Sequence, residues 1–198
     1  MSDYGYIPNP PEQSFGQNLG IFTPKDIYDL TRADKYTNYG QLELIQTQTY
    51  SGAVSVVDFT NLGNYNVHFM TLNNVQGTND ETNTKFYFYE SGVLESASVY
   101  QWARQIQTTA GGSTQQRSTS RDGITFFGTN DNNTNHKNNG YMYFYNLQDS
   151  SKYSFVTFQS GGEDFYETGF HYGSAVLPQA SEVDGIRFTI SGGNFSSF

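Results

Sequence analysis

The chain has 198 residues, no cysteine, 35% hydrophobic and 15% charged residues, and a formal net charge of −9. That length suits one domain with a sizeable core and room for an appendage. The missing cysteines exclude a disulfide framework and thiolate metal sites, and an acidic surface without a basic run disfavours nucleic-acid phosphates.

Residues 1–40 read as an attachment segment. Pro8, Pro10 and Pro11 enforce extended backbone and remove donors, so the first twenty residues are expected to form an arm. Tyr4, Tyr6 and Phe15 are unusual in a solvated tail. They either anchor the arm to another surface or fold back on their own domain, and both fates are open. Thr23-Pro24-Lys25-Asp26 is a helix start: Thr23 is placed to cap, Pro24 is the first helical residue, and Asp26 completes a capping box. Ile27, Leu30 and Ala33 follow at helical spacing, with the helix expected to end near residues 36–40.

From residue 41 to 198 the pattern is period two. Predicted strands cover 41–50, 54–59, 65–72, 84–90, 99–108, 123–127, 140–145, 153–159, 166–172 and 185–190, separated by Gly-, Asn-, Asp- and Ser-rich intervals. The stretches GTNDET, TTAGGSTQQ and GTNDNNTNHKNNG read as loops. Sixteen Tyr and sixteen Phe beside one Trp suit a pleated, half-buried surface. The expected fold is all-β: a two-sheet antiparallel sandwich, jelly-roll-like, behind an extended arm and one short helix. The start of the chain lacks the basic, apolar pattern of a signal peptide, and no run approaches the ~20 apolar residues of a membrane span. Synthesis in a cytoplasm, without membrane insertion, is therefore expected.

Candidate chemistry is sparse. His68, His136 and His171 are far apart in sequence and carry no ligand spacing, so they read as ordinary histidines, not a metal centre. Asn130–Asn133 has oxygen ligands but no regular calcium pattern. Glu90, Glu95, Glu163, Asp164 and Glu167 are carboxylates available for glycoside hydrolysis, with no spacing that selects a pair. The Gly-Gly pairs sit between β segments and are not phosphate loops. No catalytic residue, metal or cofactor is expected. The aromatic stripes are more telling. Phe86 and Phe88 alternate with Tyr87 and Tyr89, and Met142 and Phe144 with Tyr141 and Tyr143. One face of each strand belongs to a core, which leaves Tyr87, Tyr89, Tyr141 and Tyr143 as candidates for an oligomer or attachment surface.

Four stretches carry a family resemblance: GIFTPKDIYDLTRADKYTNYGQLELIQTQT, FYESGVLESASVYQWARQ, YFYNLQDSSKYSF and GSAVLPQASEVDGIRFTISGGN. Tyr89-Glu90-Ser91-Gly92, Asp149–Tyr153, Val183–Phe188 and Gly192–Phe195 are its recurrent marks. Together the chain resembles structural proteins of tailed bacteriophages of marine and cyanobacterial hosts. The resemblance implies a noncatalytic virion component, assembled in the host cytoplasm and displayed on the particle. It implies a tail fibre or tail appendage, with a capsid decoration protein as the alternative. The implied partners are other copies of the chain, as a homotrimer, and other virion proteins. A glycan-binding adhesin head, meeting host-surface sugars, is the remaining alternative.

Overall fold

The computed structural model describes residues 23–33, 42–127, 130–163 and 167–198. The proposed arm, with Tyr4, Tyr6 and Phe15, lies outside the described residues. The chain divides into two units, Met1–Leu44 and Ile45–Phe198.

In the first unit, helix α1 spans Pro24–Arg32. The Thr23 hydroxyl accepts from the Asp26 N–H at 3.2 Å, and the Asp26 carboxylate accepts from the Thr23 N–H at 2.8 Å. This reciprocal box satisfies two of the donors that a helix start leaves orphaned. Lys25 and Asp29 pair one turn apart at 2.5 Å, as oppositely charged residues four apart on a helix do. The helix ends at Arg32, so the expected extension to residues 36–40 falls mostly outside the described residues.

The second unit is a two-sheet antiparallel sandwich. Its strands in chain order are β1 (Val56–Thr60), β2 (Val67–Gly77), β3 (Thr84–Glu90), β4 (Val93–Leu94), β5 (Tyr100–Thr108) and β6 (Ser113–Arg121). They continue as β7 (Ile124–Thr125), β8 (Asn138–Tyr145), β9 (Tyr153–Glu163), β10 (Thr168–Ala180), β11 (Val183–Ile190) and β12 (Phe195–Ser197). The smaller sheet runs β1-β11-β3, with β4 and β7 at opposite ends of the same edge of β3. The larger sheet runs β12-β2-β8-β9-β10-β5-β6. The order β1-β11-β3-β7 faces β2-β8…β5-β6, and the chain alternates between the sheets as two Greek keys do. The jelly roll expected from sequence is therefore present, with one elaboration: the β9–β10 hairpin is inserted between β8 and β5. The meander β8-β9-β10 makes the larger sheet wide.

Alternation places one side of each central strand inside. Phe86, Phe88, Met142, Phe144, Val156, Leu177, Ile186 and Phe188 are buried between the sheets. Phe86, Phe88 and Phe144 meet edge to face, with ring centroids 5.8–6.1 Å apart, and Phe188 packs on Phe86 at 5.8 Å. Such arrangements add to simple area burial. Tyr100, fully buried, accepts from the Phe88 N–H and donates to the Glu95 carbonyl, both at 2.9 Å. The hairpin from β3 to β4 turns on Ser91 and Gly92, both at positive φ (51° and 80°). A two-residue turn of this hand matches strand twist, which is the physical reason for a Ser-Gly there.

Two strand expectations need correction. Residues 42–50 form no strand: Leu42 and Leu44 are exposed, and only Tyr50 makes paired backbone bonds, to Phe198. Conversely, Ser113–Arg121, half of it read as loop, is the edge strand β6.

Candidate functional site

The outward face of the larger sheet is the unusual surface. On β2, Val67, Phe69 and Thr71 point outward, and on β8 Tyr141, Tyr143 and Tyr145 do. Register places Phe69 beside Tyr143 and Val67 beside Tyr145. Phe69 and Tyr143 lie 4.8 Å apart at an interplanar angle of 35°, while Tyr141 meets Tyr143 edge to face at 6.1 Å. The inserted hairpin extends this surface. Tyr153 and Phe155 on β9, and Phe170 and Tyr172 on β10, are each nearly half exposed. Gly161 lies opposite Phe170, whose ring comes within 3.1 Å of where a Cβ would stand. A side chain there would push Phe170 off the sheet.

Between the rings stand uncharged polar groups. The Tyr141 hydroxyl donates to Gln159 at 2.6 Å, and Tyr145 and Thr157 hydroxyls lie 3.3 Å apart. Thr71, Asn139, Ser174, Gln101 and Gln107 are further exposed polar positions. Over β2, β8, β9 and β10 the face carries no Asp, Glu, Lys or Arg between Val67 and Thr71, Asn139 and Tyr145, Tyr153 and Gly161, or Phe170 and Val176. Exposed apolar patches of this extent mark interaction surfaces.

The aromatic pair on the smaller sheet has a different fate. Tyr87 is half-buried and packs against the core. The Tyr89 hydroxyl donates to Asp58 at 3.1 Å, and the Arg187 guanidinium stands over its ring at 5.3 Å. Arg187 binds both oxygens of Asp58 at 2.7 Å. This bidentate pairing, with help from Tyr89 and against partial burial, holds the Asp58 carboxyl below its ordinary range. Tyr87 and Tyr89 are thus engaged within their own sheet, whereas Tyr141 and Tyr143 belong to the exposed aromatic face.

The histidines separate. His68 on β2 is buried, with Nε2 3.0 Å from the Leu62 carbonyl. His171 lies on β10. His136 stands between two carboxylates, with Nδ1 2.6 Å from Asp131 and Nε2 3.3 Å from Glu163. Burial raises the Asp131 carboxyl, but the Asn133 N–H and His136 outweigh it, and the net shift is downward. Asn130 is a buried pin, donating to the Thr82 carbonyl at 2.8 Å and accepting from Asn138 at 3.0 Å. Among the described residues no three side chains of His, Asp or Glu are grouped to hold a metal.

Of the candidate carboxylates, Asp164 lies outside the described residues, and the fold brings Glu90 and Glu95 around Gln179, whose amide turned to donate reaches both, while Ser181 donates to Glu90. Burial raises the Glu90 carboxyl, and Glu95 adds to this. Away from these groups, a shallow polar groove of about 250 Å³ lies between Asn64–Asn66 and Asn146–Ser150. No helix among the described residues is long and apolar enough to cross a membrane.

Sequence reasoning found Tyr141 and Tyr143 but missed Phe69, Tyr153, Phe155, Phe170 and Tyr172. Their alternation was visible. The adjacency of β8 to β2 and of β9 to β10 was not, and only that adjacency makes one face of them. No protein-family model, curated protein or solved structure matches this chain.

Proposed function

We propose that this chain is a noncatalytic structural protein of a tailed-bacteriophage virion, displayed on the particle surface as a tail-fibre or tail-appendage component that associates with copies of itself. The observation that carries this reading is the uncharged aromatic face of the larger sheet on a filled jelly-roll core. A surface of that kind suits assembly better than turnover. The resemblance of its sequence motifs to those of phage structural proteins is what points to a virion. The arm, residues 1–40, is the proposed attachment segment, and other virion proteins are its proposed partners.

The engagement of the candidate carboxylates supports a noncatalytic reading: Glu90 accepts from Ser181, and the Gln179 amide, turned to donate, holds both Glu90 and Glu95.

Mass spectrometry of density-purified particles whose genome encodes this chain tests the assignment. Its peptides are expected in stoichiometric amounts with the major virion proteins, and immunogold label is expected on the tail. Label on the head would move the protein to capsid decoration. Absence from purified particles would remove the virion reading altogether.

A further inference from the structure

We infer that the aromatic face of the larger sheet is covered by the same face of a second copy, the two sheets packing face to face about a two-fold axis. This deepens the self-association in the function proposed above and does not depend on the particle.

Area is the first argument. Seven of the eight outward aromatics of β2, β8, β9 and β10, all but Tyr145, are each between 38% and 49% exposed. At roughly 200 Å² per aromatic side chain, they leave on the order of 600 Å² of ring surface in water. The intervening Thr71, Thr157, Gln159 and Ser174 bring the face to about the 800 Å² that one partner contributes to a standard interface. That matches or exceeds the largest apolar patch of an ordinary monomer.

Charge is the second. A chain of net charge −9 repels its own copies over most of its surface. The outward face of the smaller sheet carries Asp58, Lys85 and Arg187. Between Tyr153 and Gly161 of β9, and across the aromatic stretches of β2, β8 and β10, the face carries no charge, so two copies meet there without desolvating an ion. Its hydroxyl and amide groups, Gln159 among them, are already bonded within the sheet or lie where they can bond across.

Symmetry is the third. The patch is one continuous area on one sheet, and a patch that contacts itself generates a two-fold pair. Two sheets stacked this way keep their strands within about 30° and their planes about 10 Å apart. Tyr143, flanked by Phe69 and Thr157, lies at the centre.

Sedimentation velocity on the full chain, over a dilution series from about 100 µM to 0.1 µM, reads the result. The wild type is expected as a dimer that dissociates on dilution. Tyr143→Glu and Tyr172→Glu are each expected to weaken it about tenfold or more, as central interface residues do, and Tyr143→Phe to change it by less than about threefold. Near-ultraviolet circular dichroism and melting temperature establish that each variant is folded. An oligomer that persists in both folded Glu variants overturns the face but leaves self-association standing. A trimer overturns the two-fold pairing. A wild type that stays monomeric at 100 µM overturns both, and binding of a neutral glycan by that monomer would assign the face to sugar.

Discussion

Tyr100 illustrates how much of this fold hangs on single polar atoms inside an aromatic core. Its hydroxyl joins the Phe88 N–H of β3 to the Glu95 carbonyl beyond β4, in a place where no water competes. Burial raises its pKa well above the ordinary tyrosine value. Removing that oxygen strands a backbone donor, which costs more than the bond itself contributes. Tyr100→Phe is therefore expected to lose about 1–3 kcal/mol in urea unfolding, whereas Tyr145→Phe on the outer face loses less than about 0.5 kcal/mol. Glu90 works in the opposite sense. Its carboxyl is raised in the folded state by burial and by Glu95. Protonated Glu90 thus favours the fold below the ordinary carboxylate range, and that contribution is lost as pH rises through its raised value. Glu90→Gln should raise the melting temperature at pH 8, and the gain should shrink toward pH 4. A gain that is independent of pH would remove the carboxyl contact as its cause.

At the scale of elements, α1 was legible because its start is chemical: Thr23, Pro24 and Asp26 each have one job, and each does it. Strand β6 was not, for an equally physical reason. STQQRSTSR has no apolar residue to alternate and almost every position is exposed. The free donors and acceptors of the β5 edge make it a strand, through pairs such as Gln105 with Gln115. The residues 42–50 err the other way, since Leu42 and Leu44 alternate with polar neighbours yet are exposed and form no strand. Period two is necessary for a half-buried strand and does not supply the partner. The partner is visible where β1 meets β11. Asp58 and Arg187 stand directly across from each other, bidentate and about a third exposed. Because the Asp58 carboxyl is held low, its contribution is present above the ordinary carboxylate range and is lost as pH falls through its depressed value. Asp58→Asn is expected to cost about 1 kcal/mol or less at pH 7, discounted for that exposure. The difference from wild type should close as pH falls below the ordinary carboxylate range, as read by urea midpoints across the range.

For the molecule as a whole, the aromatic excess announced an unpartnered surface, but composition alone does not say which sheet carries it. TKFYFYE and GYMYFY look equivalent as sequences. Arg187 and Asp58 occupy the outer side of one, while Phe69, Thr157 and the inserted hairpin surround the other, and that difference is made by strand order. The contrast sets the response of self-association to salt. An interface built from ion pairs weakens as ionic strength rises. Here the contact face is uncharged, and each copy brings nine net negative charges outside it. Screening therefore removes repulsion between the two bodies and leaves the contact untouched, and the Debye length falls from roughly 20 Å at 0.02 M to about 4 Å at 0.5 M. Added salt also strengthens burial of ring surface, more so for sulfate than for chloride. The dissociation constant of the dimer is accordingly expected to fall about threefold to tenfold between 20 and 500 mM sodium chloride, and further in sodium sulfate at equal ionic strength. Sedimentation equilibrium at each salt concentration measures it. A dissociation constant that rises with salt would mean that charged groups carry the contact, and the aromatic face would then not be where the copies meet.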